Sequence, residues 1–385
     1  MQQRNFKKQL VLVGGGHANI QVLKTQCMNE YSELHTILIS DRYESTYSGL
    51  TPSYIQNQLE KKDLSIDLQR LCFNAGATFI KDSITSIDAS KNSINLKKHP
   101  SINYDILSIN TGSVSKKSDI KIHDQAVCIP VKPISRFVEC LYEIDKLISK
   151  GKKTKITIIG NGIAAYEISF SLYQRYKDKI IITLIGKGNI KELNINSSSR
   201  RKINNIANEM AIIKKEGIVE EICKNKVVLT NGDEIESVIN FLSTGSAAPN
   251  WLSNSTIEKD SAGFALINKY LQSQNYGNIF FTGDVASYKK MPRAKSGVMS
   301  VRQGEILKKN IFLKLQNKPL LRFLPQKNWL YIVNTYKNKA LINYYFMTFH
   351  GKWCLKLKLF IDKSFMKKFK FPNKKTMVKK IIKLE

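Results

Sequence analysis

The chain has 385 residues, 42% of them hydrophobic, which excludes a disordered polypeptide and leaves room for two or three domains with packed cores. Its formal net charge of +30 favours anionic partners, but lysine is spread over the whole length among many Asn and Ile residues, so charge alone names no ligand. The six cysteines show neither CxxC nor CxxxxC spacing, the five histidines lie far apart, and HExxH and GxxxxGK[ST] are missing; disulfide frameworks, metal sites and NTPase chemistry therefore lose ground. No apolar run reaches about 18 residues, and the first predicted strand starts close to residue 1, so the expectation is a cytoplasmic protein without a spanning segment.

The first predicted elements lie in "QLVLVGGGHANIQVLK", Gln9 to Lys24, which reads as a buried strand, a glycine turn and a helix. Gly14 and Gly16 suit a tight turn and a close approach of backbone to a pyrophosphate on the positive end of the helix. Asn19 stands where such loops usually carry a third glycine, and the expectation is a loosened or re-angled helix contact. The next strand, "HTILISDR", ends near Asp41, an acid suited to the ribose hydroxyls of a nucleotide such as the adenosine of FAD. "YDILSINTGS" then delivers a Thr-Gly-Ser turn at Thr111 and Gly112.

The pattern then repeats. "ITIIGNGIAAYEISFSLY", Ile156 to Tyr173, places Gly160 and Gly162 in a second loop, with Ala165 standing in for the third glycine. "KIIITLIGKG" ends near Lys187, which follows Gly160 at the same distance as Asp41 follows Gly14. "VINFLSTGS" closes the copy with Thr244 and Gly245. A lysine at the strand end suits a 2′-phosphate and so points to NADPH, but a solvated loop lysine reads the same, and NADH stays open. Two dinucleotide loops in one chain imply a circuit in which a nicotinamide passes a hydride to a flavin by positioning alone, with no catalytic triad required.

With these motifs the chain resembles the pyridine nucleotide-disulphide oxidoreductase superfamily. Within it the chain is similar to type II NADH dehydrogenases and to the branch associated with selenide, water dikinase. "GGGHAN", "YSGLTPSYI", "IPVKPI", "PRAKSGVMSVRQGEILKKNI" and "FIDKSFMKKF" carry that likeness; the branch usually reads "GGGHAH", so Asn19 departs from it. The resemblance implies an α/β fold of two Rossmann-like, glutathione reductase-like domains. The FAD domain would be discontinuous, over residues 1–125 and 246–320, around an NAD(P) domain over 126–245, with a basic C-terminal region over 321–385. It also implies roles for single residues. In "NIFFTGDVAS", Gly283 would approach the FAD phosphate and Asp284 the ribitol; His17 and Ala18 would bind the cofactor, and Pro52 would lie along the flavin, with Arg302 beside its phosphate or the acceptor. Glu167 would sit beside the nicotinamide, Lys132 near the flavin or the entering cofactor, and Gln303 at a quinone site.

Beyond Leu320 the dinucleotide pattern stops, and the alternation in "NWLYIVNTYKNKALINYYFMTFHGKW" predicts a small β-ribbon. Lysines 356, 358, 367 and 368 among apolar residues, and the face of Met377, Val378, Ile381 and Ile382, fit contact with an anionic membrane surface. The expected activity is an FAD-dependent NAD(P)H oxidoreductase that reduces a quinone. Its alternatives are a soluble flavoprotein with another small, selenium-linked acceptor and, less favoured, a basic non-enzymatic binding protein. No nucleic-acid partner is expected, and a homodimer is left open.

Overall fold

A computed structural model describes residues 7–29, 31, 33–116, 120–148, 153–188, 195–289, 295–326 and 330–370. Met377, Val378, Ile381 and Ile382 lie outside the described residues, as do Pro292, Arg293 and Ala294.

Two five-stranded parallel sheets dominate the fold. In the first, Lys8–Val13 is central, flanked by Leu34–Ser40 and then Thr78–Lys81 on one side, and by Ile106–Ile109 and then Ile279–Phe281 on the other. In the second, Thr154–Ile159 is central, with Ile180–Gly186 and Ile213–Glu216 on one side and Ile239–Leu242 and Val127–Pro130 on the other. The strand orders correspond position for position. The central strands read as near-continuous apolar runs because a parallel sheet is covered on both faces, and Leu10, Val11, Leu12, Ile156 and Ile158 are fully buried.

The outermost strand differs in origin. Val127–Pro130 precedes the rest of the second sheet in the chain, whereas Ile279–Phe281 arrives only after that sheet is complete. The first sheet is therefore built from two separated segments, as the sequence predicted. The two Thr-Gly-Ser turns lead into short strands, Val114–Ser115 and Ser246–Ala247, that pair antiparallel and tie the two units together.

Local chemistry sets the helix ends. Asp67 caps Leu68–Ala75 by accepting from the Arg70 amide, and Gly76 ends that helix with φ of +63°. In Ile134–Ile148 the buried residues Phe137, Val138, Leu141, Ile144 and Ile148 fall at helical spacing on one face. The predicted ribbon is a three-stranded antiparallel sheet of Leu330–Asn334, Ala340–Tyr344 and Met347–Gly351, followed by the helix Lys352–Lys367. This C-terminal layer packs against helix Ile163–Tyr176 of the second unit and against Ser48–Leu50 of the first. Among the described residues no helix is long and apolar enough to cross a membrane.

Candidate active site

A cavity of about 590 Å³ opens at the carboxyl ends of the first sheet's strands, where ligands of open α/β sheets bind. Gly14, Gly16, His17, Asp41, Pro52, Thr111, Gly112 and Asp284 line it from the first unit; Lys132, Ala164, Glu167 and Ile168 line it from the segments around the second. The two units thus share one cleft.

The glycines of the two loops do a job that sequence spacing did not show. Gly14 has φ of +88°, and a Cβ there would lie 2.6 Å from the Asn110 carbonyl oxygen; Gly160 has φ of +129°, and its Cβ would lie 2.2 Å from the Ser243 carbonyl oxygen. In each unit the first glycine is pressed against the residue that precedes Thr-Gly-Ser, so loop and closing turn are one packed device. Asn110 is its centre in the first unit. Its Oδ1 accepts from the Ala18 amide at 2.9 Å and from Ser300 Oγ at 3.2 Å, while its Nδ2 donates to the Thr282 carbonyl at 2.7 Å.

Asn19 corrects an expectation. Fully buried, it donates from Nδ2 to the carbonyls of Val13, Gly14 and Ser108, and its Oδ1 accepts from Ser108 Oγ at 2.7 Å. Rather than loosening the helix, it ties the helix start to two neighbouring strands.

Polar groups remain for a ligand inside the cleft. Thr111 Oγ1 and His17 Nδ1 are buried and find no hydrogen-bond partner among the described residues. Burial pushes the His17 imidazole down to about 4, against the raising effect of Asp284, so the ring is neutral at neutral pH. It packs on Tyr47 with ring centroids 4.9 Å apart. At the far wall Lys132 Nζ donates to Asp284 at 2.6 Å and to Ser246 Oγ at 2.8 Å. Lys295, beside them, is pushed down to about 8 by burial and donates to the Ala286 carbonyl.

Glu167 is held from outside its own unit. Its Oε1 accepts from Lys358 Nζ at 2.9 Å and from the Asn334 amide at 2.7 Å. Lys358 Nζ also donates to Asn334 Oδ1 at 2.8 Å, and Asn334 Nδ2 donates to Ser53 Oγ at 2.9 Å. One helical turn on, Asp362 accepts from Tyr47 OH at 2.9 Å, and burial raises the Asp362 carboxyl above the usual range.

A family model described as pyridine nucleotide-disulphide oxidoreductase matches residues 8–304, a span that takes in both sheets and both loops. The chain belongs to that family. A protein of Dictyostelium discoideum described as a probable NADH dehydrogenase is 24% identical over 310 residues, covering 73% of this chain and 68% of its own. The sulfide:quinone oxidoreductase of Aquifex aeolicus superposes with a TM-score of 0.76 at 21% identity, over 94% of this chain and 91% of that one. NDH2 of Plasmodium falciparum, solved with NADH, superposes with a TM-score of 0.75 at 13% identity, over 94% and 98%. These likenesses bear out the expected family and fold, and this chain is an oxidoreductase of the NADH dehydrogenase-like kind.

Several residues expected to meet ligands in this pyridine nucleotide-disulphide oxidoreductase do not line this cleft. Gln303 is buried in helix Gly297–Leu315, and its Oε1 accepts from the Gly283 amide at 2.6 Å. Both are therefore occupied in holding the Gly-Asp turn, and neither lines the cleft, nor does Arg302. Ala18 has given its amide to Asn110 and is fully buried. Gly160, Gly162, Lys187, Thr244 and Gly245 cluster at the carboxyl end of the second sheet, outside the cavity wall. There Lys187 is exposed and its carbonyl accepts from Asn161, while Thr244 Oγ1 donates to the Lys116 carbonyl at 2.6 Å. Asn110, Lys295, Asn334 and Lys358 were missed. Asn110 left a trace as the residue before the first Thr-Gly-Ser, whereas Lys358 was read as a membrane-facing lysine and not as a partner of Glu167.

Proposed function

We propose that the chain is an FAD-dependent NAD(P)H dehydrogenase that passes electrons to a quinone at a membrane surface. The observation that carries this reading is the shared cleft, in which the first glycine loop and Glu167 of the second unit face one cavity. The cradle fits a flavin dinucleotide. A Cβ at Gly112 would meet nothing within 4 Å, Thr111 and His17 offer polar atoms without a partner among the described residues, and Asp41 stands at the strand end, a position suited to a ribose. When bound, a flavin supplies a two-electron acceptor for the hydride of a pyridine nucleotide.

The protein's own contribution is placement. The FAD-binding domain is residues 1–125 and 246–320, apart from strand Lys121–Ile122, which pairs into the second unit's smaller sheet; Gly14, Gly16 and the start of helix Asn19–Gln26 lie at the pyrophosphate and Asp284 at the ribitol. Lys132 fixes the Asp284 carboxylate and adds positive charge to that wall. Residues 126–245 bind NADH or NADPH through Gly160 and Gly162, with Lys187 beside the adenosine ribose. Glu167 stands on the nicotinamide side of the cleft, oriented by Lys358 and the Asn334 amide.

The acceptor follows from the C-terminal layer. Trp353, Leu357, Phe360 and Ile361 are exposed on the outer face of helix Lys352–Lys367, and Tyr345, Phe346 and Phe349 are exposed on the adjoining ribbon. With Lys352, Lys356 and Lys363 exposed among them, the patch suits the headgroup boundary of an anionic bilayer, where lipid-soluble quinones reside. Anaerobic mixing of the NADH-reduced protein with a short-chain quinone tests the acceptor. Reoxidation within the turnover time supports the quinone reading; a protein reoxidised by other small acceptors but not by quinones removes it.

A further inference from the structure

A group of metal-ligating side chains lies away from the cleft. Strand Lys121–Ile122 pairs in parallel with Val219–Ile222, Lys121 opposite Glu221 and Ile122 opposite Ile222. The residue after each strand is then His123 and Cys223, brought side by side although nearly a hundred positions separate them in the chain. Alternation of side chains along a strand puts Glu221 on the same face as Cys223. The backbone there is fixed, for the His123 amide donates to the Ile222 carbonyl at 3.0 Å and the Cys223 amide to the Lys226 carbonyl at 2.8 Å.

We propose that His123, Glu221 and Cys223 form a binding site for a borderline-soft divalent metal ion of the Zn²⁺ class. One imidazole nitrogen, one carboxylate oxygen and the thiol sulfur all lie within 4.8 Å of one another, and all three residues are half-buried. His123 Nε2 and Glu221 Oε2 are 3.0 Å apart as a hydrogen-bonded pair, and parting by a few tenths of an ångström brings them to the roughly 3.3–3.6 Å that separates two ligand atoms on a tetrahedral ion with bonds of about 2.0–2.2 Å. Sulfur, nitrogen and oxygen together select zinc over magnesium or calcium, which take oxygen alone. Lys121 Nζ is 3.2 Å from the other carboxylate oxygen, Oε1, so it can stay on Glu221 while Oε2 turns to the ion. The ion replaces the His123–Glu221 hydrogen bond, and the Cys223 thiol releases its proton to solvent on binding. The site clamps the segment at 121–123 onto the second unit's smaller sheet, and water completes the coordination.

The test uses the full-length purified protein, loaded with Zn²⁺, desalted and measured for bound metal, with Tm recorded with and without Zn²⁺. The expected result is one Zn²⁺ per chain and a Tm raised by the metal. C223S and E221Q should weaken binding by more than about tenfold and abolish the Tm rise. K121M should tighten binding, since it removes an ammonium from the edge of the site. Wild-type protein that retains no Zn²⁺, or C223S and E221Q variants that bind as tightly as wild type, would overturn the assignment.

Discussion

At the scale of single residues, Asn19 and Asp82 show how buried polar groups hold the cleft. Asn19 stands where a glycine would be usual in a dinucleotide loop, so Asn19→Gly looks like a repair. It removes donors to three carbonyls and leaves Ser108 Oγ without its acceptor. Unfolding measurements should show a loss of about 2–4 kcal/mol, and a variant as stable as wild type would contradict the role given to Asn19. Asp82, on the cleft wall, accepts from the amides of Ser83, Lys98 and His99 and from His99 Nδ1. Burial of the carboxylate opposes ionisation, but these hydrogen bonds outweigh it and hold the group down to about 2. Because the folded value lies below the unfolded one of about 3.9, the stabilisation is full above about pH 5 and is lost progressively as pH falls through about 4 and then 2. Asp82→Asn should lower stability at neutral pH and flatten that acid limb in a pH series of denaturant melts.

The elements were legible to different depths. Both glycine loops, the strand that follows each and the closing Thr-Gly-Ser turns could be read because their signals are local and repeated. The packing of Gly14 on Asn110 and of Gly160 on Ser243 could not, since each joins residues far apart in the chain. Helix Lys352–Lys367 shows the limit most clearly. Its lysines among apolar residues read as a membrane-facing helix, yet Lys358 and Asp362 lie on the buried face with Cys354, Leu355, Phe365 and Met366. A pattern scored by hydropathy sends charged residues outward, and only the partners Glu167 and Tyr47, supplied by other elements, bring these two inside. Lys358→Met should therefore destabilise the fold by about 2–4 kcal/mol, because it leaves the Glu167 carboxylate partly buried without its cation. Adding Glu167→Gln should recover part of that loss; additive effects in a double-mutant cycle would mean that the pair is not coupled.

Over the whole molecule, two units of one design meet at a single cleft, and the C-terminal layer bridges them while presenting an apolar face to the outside. That face should bind vesicles containing anionic lipid, weaken as salt rises, and lose most of its binding in a Phe360→Ser, Trp353→Ser double variant, as read by co-flotation. Equal binding by the variant would move membrane contact to another surface. The net charge of +30 makes the salt series necessary, because a basic surface adsorbs to anionic vesicles without any insertion. These roles all depend on the shared cleft holding a flavin which a pyridine nucleotide reduces. The most direct test is the anaerobic visible spectrum of the purified protein, followed by titration with NADH and then NADPH. The expected result is a bound flavin that is bleached by one or both nucleotides in stoichiometric amounts. A protein that carries no flavin, even after incubation with excess FAD, would contradict it.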